Sequence, residues 1–214
     1  MAPPDAASDT QADDDGSPGA PTPDPPDPPE GYREPVTFEY PGLALSVGSL
    51  ALFVAAVFVF GRVMSALRPG ATLEFTVGPR GIAVVGVLSV GTVVVHEVVH
   101  GLVYRLLGYR VRYGIAWNMG AAYAAAFGQF QTRRDNLVVA LAPLAVFTAV
   151  LTPLLAVEPF SVALAAFLVL VVNTSGAIGD LYISWRLLRM PEGTLMYDLD
   201  ARHSYAYFPA SGDE

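Results

Sequence analysis

Four stretches of this 214-residue chain run free of charge for the length of a membrane span or close to it: residues 42–61, 81–95, 136–157 and 160–179. A helix crossing a bilayer needs about 20 apolar residues, each adding about 1.5 Å against a hydrocarbon core of about 30 Å. Within lipid the backbone must satisfy its own hydrogen bonds, so helices are the fold open to runs like these. The second stretch reaches spanning length only if the polar group that follows, His96-Glu97-Val98-Val99-His100, lies inside the helix. The sequence therefore predicts an all-α membrane protein of about four transmembrane helices. Composition agrees, with 53% hydrophobic residues and a mean hydropathy of +0.44.

The segments around the spans differ sharply in character. Residues 1–40 hold ten of the 18 prolines, all before Val36, and the run Asp13-Asp14-Asp15. Such a composition cannot offset the entropy of ordering, so it reads as a disordered acidic, Pro-rich tail. No basic stretch followed by an apolar one resembles a cleavable leader, which makes the first span its own insertion signal. The chain divides into this tail, a transmembrane domain over 41–190 and a cytoplasmic C-terminal tail over 191–214. Between the first two spans "TLEFTV" reads as a short strand. Between the second and third, "YRVRYGIAW" alternates strictly, with Tyr109, Val111, Tyr113, Ile115 and Trp117 on one side. That period of two, a turn at "NMG" and an Ala-rich return through "AAYAAAFGQFQ" predict a short β-hairpin-like segment.

All 12 basic residues are arginine, against 20 acids, for a net charge of −8. Acid excess without lysine is a halophile-like composition, and it argues against nucleic acid as a partner, which requires a basic stripe. With no cysteine, disulfides and thiolate metal ligands are excluded. Four spans place nine arginines with the two termini and the 108–135 segment, and three on the other side. The excess predicts an integral protein of the cell membrane with both termini cytoplasmic.

Two of the three histidines sit in the second span. Residues four apart share a helix face, so His96 and His100 can direct imidazole nitrogens at one metal ion, with Glu97 at its rim. This is the H-E-x-x-H pattern, in which the glutamate takes a proton from water and passes it to the leaving amine. Zn2+ suits neutral imidazole and needs no redox partner. A charged side chain deep in a spanning helix costs about 2.5 to 3.5 kcal/mol, so Glu97 signals function, although a proton relay or a structural polar network would also account for it.

A catalytic zinc requires a third protein ligand, here a carboxylate or His203. Asp180 is the stronger candidate because it closes an otherwise uncharged run, "LVLVVNTSGAIGD". His96 and His100 lie 15 and 19 residues into the second span, about 22 and 28 Å deep, and Asp180 lies 20 residues into the fourth, about 30 Å deep. The two helices enter from the same side, so the groups meet at similar depth. Asn173, two turns before Asp180, can donate to a substrate carbonyl or developing oxyanion, or form an ordinary interhelical hydrogen bond. Ser175, Gly176 and Gly179 would let the fourth helix approach the second closely.

These residues resemble a known group. "HEVVHG" in a membrane helix, "AAYAAAFGQF", "ALAPLAV" and "NTSGAIGD" are similar to the pattern of a zincin peptidase family of small membrane proteins, over roughly residues 80 to 210. The set also resembles the site-2 protease class of intramembrane zinc metalloproteases. Those proteases follow their asparagine with a proline and end in Leu-Asp-Gly, where this chain has Gly179-Asp180-Leu181. The resemblance implies His96, His100 and Asp180 as zinc ligands and Glu97 as the base.

The expected function is thus a zinc-dependent intramembrane peptidase, acting on a membrane-protein or peptide substrate near the cytoplasmic leaflet. The alternatives are a non-catalytic metal-braced scaffold and a metal-dependent hydrolase of a lipid-like molecule. Because helical amides are protected, the substrate must be extended, and an edge strand beside the metal would hold it. The strand over residues 109–117 is the expected holder, or else an interfacial anchor through its aromatic residues.

Overall fold

The computed structural model describes residues 24–69, 78–116, 121–201 and 203–210. Two long helices come first: α1 (Gly42–Leu67) and α2 (Pro79–Leu106), both apolar on nearly every face. Pro79 opens α2, where a missing N–H costs nothing and the fixed φ fits the helix. Gly108 closes it at φ +91°, the left-handed conformation that lets the Tyr109 amide turn back to the Tyr104 carbonyl. Helix α3 (Arg133–Leu151) is capped by Thr132, whose hydroxyl accepts the Asp135 amide at 3.1 Å. Helices α4 (Phe160–Gly176) and α5 (Ile178–Leu188) divide the fourth apolar segment, with a 46° bend at Ala177. Among the described residues, three helices, or four crossings with the bent pair taken as one, are long and apolar enough to span a membrane.

Helix α4 is the central element. Its Ala163, Ala166, Leu170 and Val171 pack against Ala56, Phe60 and Met64 of α1. The opposite faces of α1 and α2 remain apolar and exposed, as at Leu43, Phe58 and Val87. Apolar area on that scale stays out of water only against lipid or a partner.

The hairpin forms between α2 and α3, with β2 (Arg112–Ala116) antiparallel to β3 (Ala121–Ala125). It starts later than its alternation suggests. Gln129 explains why: its side-chain amide donates to the Arg110 carbonyl at 2.8 Å and accepts the Arg110 amide at 3.0 Å, standing in for a partner strand. Trp117, the "NMG" turn and "TLEFTV" lie outside the described residues.

A second sheet departs from the sequence reading. It runs β1 (Val36–Phe38), β6 (Ser204–Tyr207), β5 (Leu195–Asp198) and β4 (Phe130–Thr132), all antiparallel. The acidic tail expected up to residue 40 and the C-terminal tail expected after 191 each contribute strands to it. Residues upstream of β1 also dock, with the Tyr207 hydroxyl donating to the Pro26 carbonyl and the Arg33 amide to the Phe208 carbonyl. Apolar burial drives this ordering: Phe38, Met196 and Ala206 close over Leu187 of α5. The sheet joins the segment before α1, the segment before α3 and the segment after α5 at one end of the bundle.

Candidate active site

The C-terminal half of α2 carries His96, Glu97 and His100, offering ligand atoms within 4.8 Å of one another. Asp180 reaches them from the first turn of α5. Its Oδ2 lies 3.1 Å from His96 Nε2 and its Oδ1 3.3 Å from His100 Nε2, while the two Nε2 atoms are 3.1 Å apart. These side chains are between 10% and 19% exposed.

The partners of the other ring nitrogens decide what this cluster is. His96 Nδ1 donates to Asn173 Oδ1 on α4 at 3.0 Å. His100 Nδ1 donates to the Val139 carbonyl on α3 at 2.9 Å. With the Nδ1 protons held by these acceptors, each neutral imidazole turns its Nε2 lone pair toward Asp180. Two lone pairs and a carboxylate converging at 10% to 19% exposure repel unless a proton or a metal cation lies between them. Tetrahedral zinc with bonds of about 2.0 to 2.1 Å sets ligand atoms about 3.3 Å apart, and the spacings here fit that. The donor set is compatible with zinc.

Glu97 occupies the rim, where the backbone amide of Ala124 in β3 faces its carboxylate. A cavity of ≈ 330 Å³ opens beside it, lined among others by His96, Glu97, His100, Asp180 and Tyr40. Residues 122–125 of β3 form one wall. Strand β3 is paired only on its β2 side among the described residues, so its other edge faces the cavity. The small side chains of Ala122, Ala124 and Ala125 let that edge lie against α2. From β2 only Ala116 reaches the wall, and Ile115 is 52% exposed on the outside. The edge that could meet a peptide is therefore the Ala-rich strand and not the alternating one.

Gly101 gives the hairpin its seat, because a Cβ there would collide with the ring of Tyr113. Gly176 and Gly179 have a different use from the close approach their size suggests. A Cβ on either would meet nothing within 4 Å, and both line the cavity, so they keep it open. Close approach occurs at Gly48 instead, against Ile178. Asn173 forms the interhelical bond to His96, while its Nδ2 is buried without a partner among the described residues. His203 is outside the cavity lining and pairs with Asp200 at 2.8 Å.

Two wall residues carried no sequence signal. Tyr40 enters from the end of the N-terminal segment, its ring set against Phe38 and Tyr182. Asp198 enters from β5, accepting hydrogen bonds from Ser204 Oγ at 2.6 Å and Gln131 Nε2 at 3.0 Å. Burial, and secondarily the charge of Asp200, push the Asp198 carboxyl above its usual range despite those bonds.

With the geometry in hand, the comparisons with known proteins are brief. The model of a family described as "Putative zincin peptidase" matches residues 89–195, half of the chain. The match runs from the middle of α2 to the first residue of β5 and includes every group that meets at the two imidazoles. No curated protein and no solved structure matches the chain.

Proposed function

This chain belongs to that zincin peptidase family, and on that premise we propose that it is a zinc-dependent intramembrane peptidase cutting an extended segment near the cytoplasmic leaflet. The observation that carries the reading is the meeting of His96 Nε2, His100 Nε2 and the Asp180 carboxylate within 3.3 Å, with Glu97 at the rim of the same cavity. His96, His100 and Asp180 would hold the metal. Zinc in that position supplies Lewis acidity, polarising a carbonyl and acidifying water.

The chain's own groups supply the rest. Glu97 accepts a proton from the attacking water and delivers it to the departing amine nitrogen. The free edge of β3 pairs with the backbone of an extended peptide and aligns it over α2. Asn173 holds the His96 ring through its Oδ1, and its Nδ2 lies buried away from the cavity lining. Helices α2, α4 and α5 limit bulk water around the reacting groups.

The membrane setting is supported by the exposed apolar faces of α1 and α2. Joining the segments before α1, before α3 and after α5 in one sheet supports four crossings with both termini on one side. The arginine excess makes that side cytoplasmic.

The test is zinc stoichiometry of the detergent-purified protein together with hydrolysis of labelled casein and of a short-chain phospholipid. Wild type should bind one zinc, with His100→Ala and Asp180→Ala binding none. Glu97→Gln should keep zinc and lose peptide cleavage by about 10²- to 10⁴-fold. Full zinc in Asp180→Ala, or cleavage by Glu97→Gln at the wild-type rate, would refute the reading. Cleavage of the lipid alone would replace it with lipid hydrolysis.

A further inference from the structure

Helix α3 carries a proline in its interior, Pro143, and continues through it to Leu151. Proline inside a helix removes one N–H, and its ring presses on the carbonyl four residues earlier. Four residues before Pro143 is Val139, whose carbonyl accepts the Nδ1–H of His100 at 2.9 Å across the α2–α3 interface. Both α3 residues are buried, Val139 at 4% exposure, and His100 is 8% exposed, so water does not compete for that bond.

We propose that Pro143 is a positioning residue: by withdrawing the helical donor from the Val139 carbonyl, it releases that carbonyl to fix the ring and tautomer of His100. The two histidines are held by opposite strategies. His96 is held by a side-chain amide on α4, and His100 by a backbone carbonyl on α3 that an ordinary helix would have consumed. With any other residue at 143, a backbone N–H points along the helix axis at the Val139 oxygen and the carbonyl realigns with it. His100 Nδ1 then loses its acceptor, and the proton distributes between the two ring nitrogens, blocking Nε2 in part of the molecules. An outer hydrogen bond of this kind alters metal affinity by about 10- to 100-fold when removed. The consequence for zinc rests on the proposed function, whereas the tautomer does not.

The full chain in detergent, labelled with ¹⁵N-histidine, tests this in the metal-free state. Long-range proton–nitrogen correlation resolves Nδ1–H from Nε2–H, and three histidines give few signals. In wild type His100 should be the Nδ1–H form. In Pro143→Ala it should become a mixture, zinc should bind about 10-fold more weakly, and the thermal midpoint should rise by about 5 °C because a helix interior favours alanine. A merely structural proline would not move stability and affinity in opposite directions. Pro143→Gly introduces the same N–H without alanine's helical preference and should show the same tautomer and affinity change. If His100 stays purely Nδ1–H in both variants, or zinc affinity stays within twofold of a zinc-binding wild type, the proposal fails while the peptidase reading survives. If wild type binds no zinc, the peptidase reading fails, and the tautomer result still decides the role of Pro143.

Discussion

Replacing Asn173 by leucine separates the metal site from the stability of the fold. Asn173 is 2% exposed, its Oδ1 accepts the His96 Nδ1–H at 3.0 Å, and its Nδ2 has no partner among the described residues. Leucine fills nearly the same volume, so no large cavity opens. The change strands the His96 N–H, a cost of about 1 to 3 kcal/mol, but it also removes a buried amide nitrogen that already bears a cost of about that size. The two nearly cancel, and the thermal midpoint without metal should stay within about 3 °C of wild type. Zinc affinity has no such compensation. Loss of the acceptor frees the His96 ring and its tautomer, weakening binding by about 10- to 100-fold, or about 1.4 to 2.7 kcal/mol. Competition titration against a chromophoric chelator reads this directly. Asn173→Asp keeps an acceptor and should bind zinc at least as tightly as wild type. A leucine variant with wild-type affinity would refute the argument, and an aspartate variant as weak as leucine would shift the role to the Nδ2 group.

Three further outcomes follow from the geometry. Ala124→Pro removes an amide that points at Glu97 and away from β2, so it should leave the hairpin ladder and zinc content intact while reducing casein cleavage at least tenfold; unchanged cleavage would exclude the β3 edge as substrate holder. Gly101→Leu forces the Tyr113 ring off α2, with a stability loss of about 1 to 3 kcal/mol measured by thermal unfolding; a neutral result would mean the exposed ring simply swings aside. The raised Asp198 pKa means that the native state holds its proton longer than the unfolded chain. Its contribution to stability is therefore full below the unfolded value of 3.8 and is lost as pH rises through the higher folded value. Asp198→Asn should flatten that fall in denaturant titrations from pH 3 upward, and an identical pH profile would remove Asp198 as its source.

The parts of the molecule legible in the sequence are those encoded by spacing along one helix or by a polar residue in an apolar run. His96 and His100 share a face because of their separation alone. Asp180 draws attention as a charge closing a long uncharged stretch, and rise per residue is enough to bring it to the same depth. The number of spans follows from the length of the uncharged runs, and the hairpin from a period of two. The rest depends on groups that a sequence does not display. The acceptor for His100 is a backbone carbonyl, and Val139 as a residue type says nothing of it; the one hint is a proline four residues later in an apolar helix. The bend at Ala177 sets where Asp180 points, yet "SGAIGD" reads as helix throughout. Strands β1, β4, β5 and β6 are three or four residues long, too short for a period of two to register. The late start of β2 hinges on Gln129 imitating a neighbouring strand.

The antiparallel partnership of Val36–Phe38 with Ser204–Tyr207 has a temporal consequence. Residue 36 leaves the ribosome long before residue 206, its register partner, exists, so β1 must wait while every helix is made. Contacts this distant in sequence form late. The cavity beside His96 and His100, walled by Tyr40 from ahead of α1 and by Asp198 from after α5, is consequently incomplete until β5 has been made. The nascent chain therefore has no finished cleft, and shortening it ahead of residue 204 should leave it locked in that immature condition.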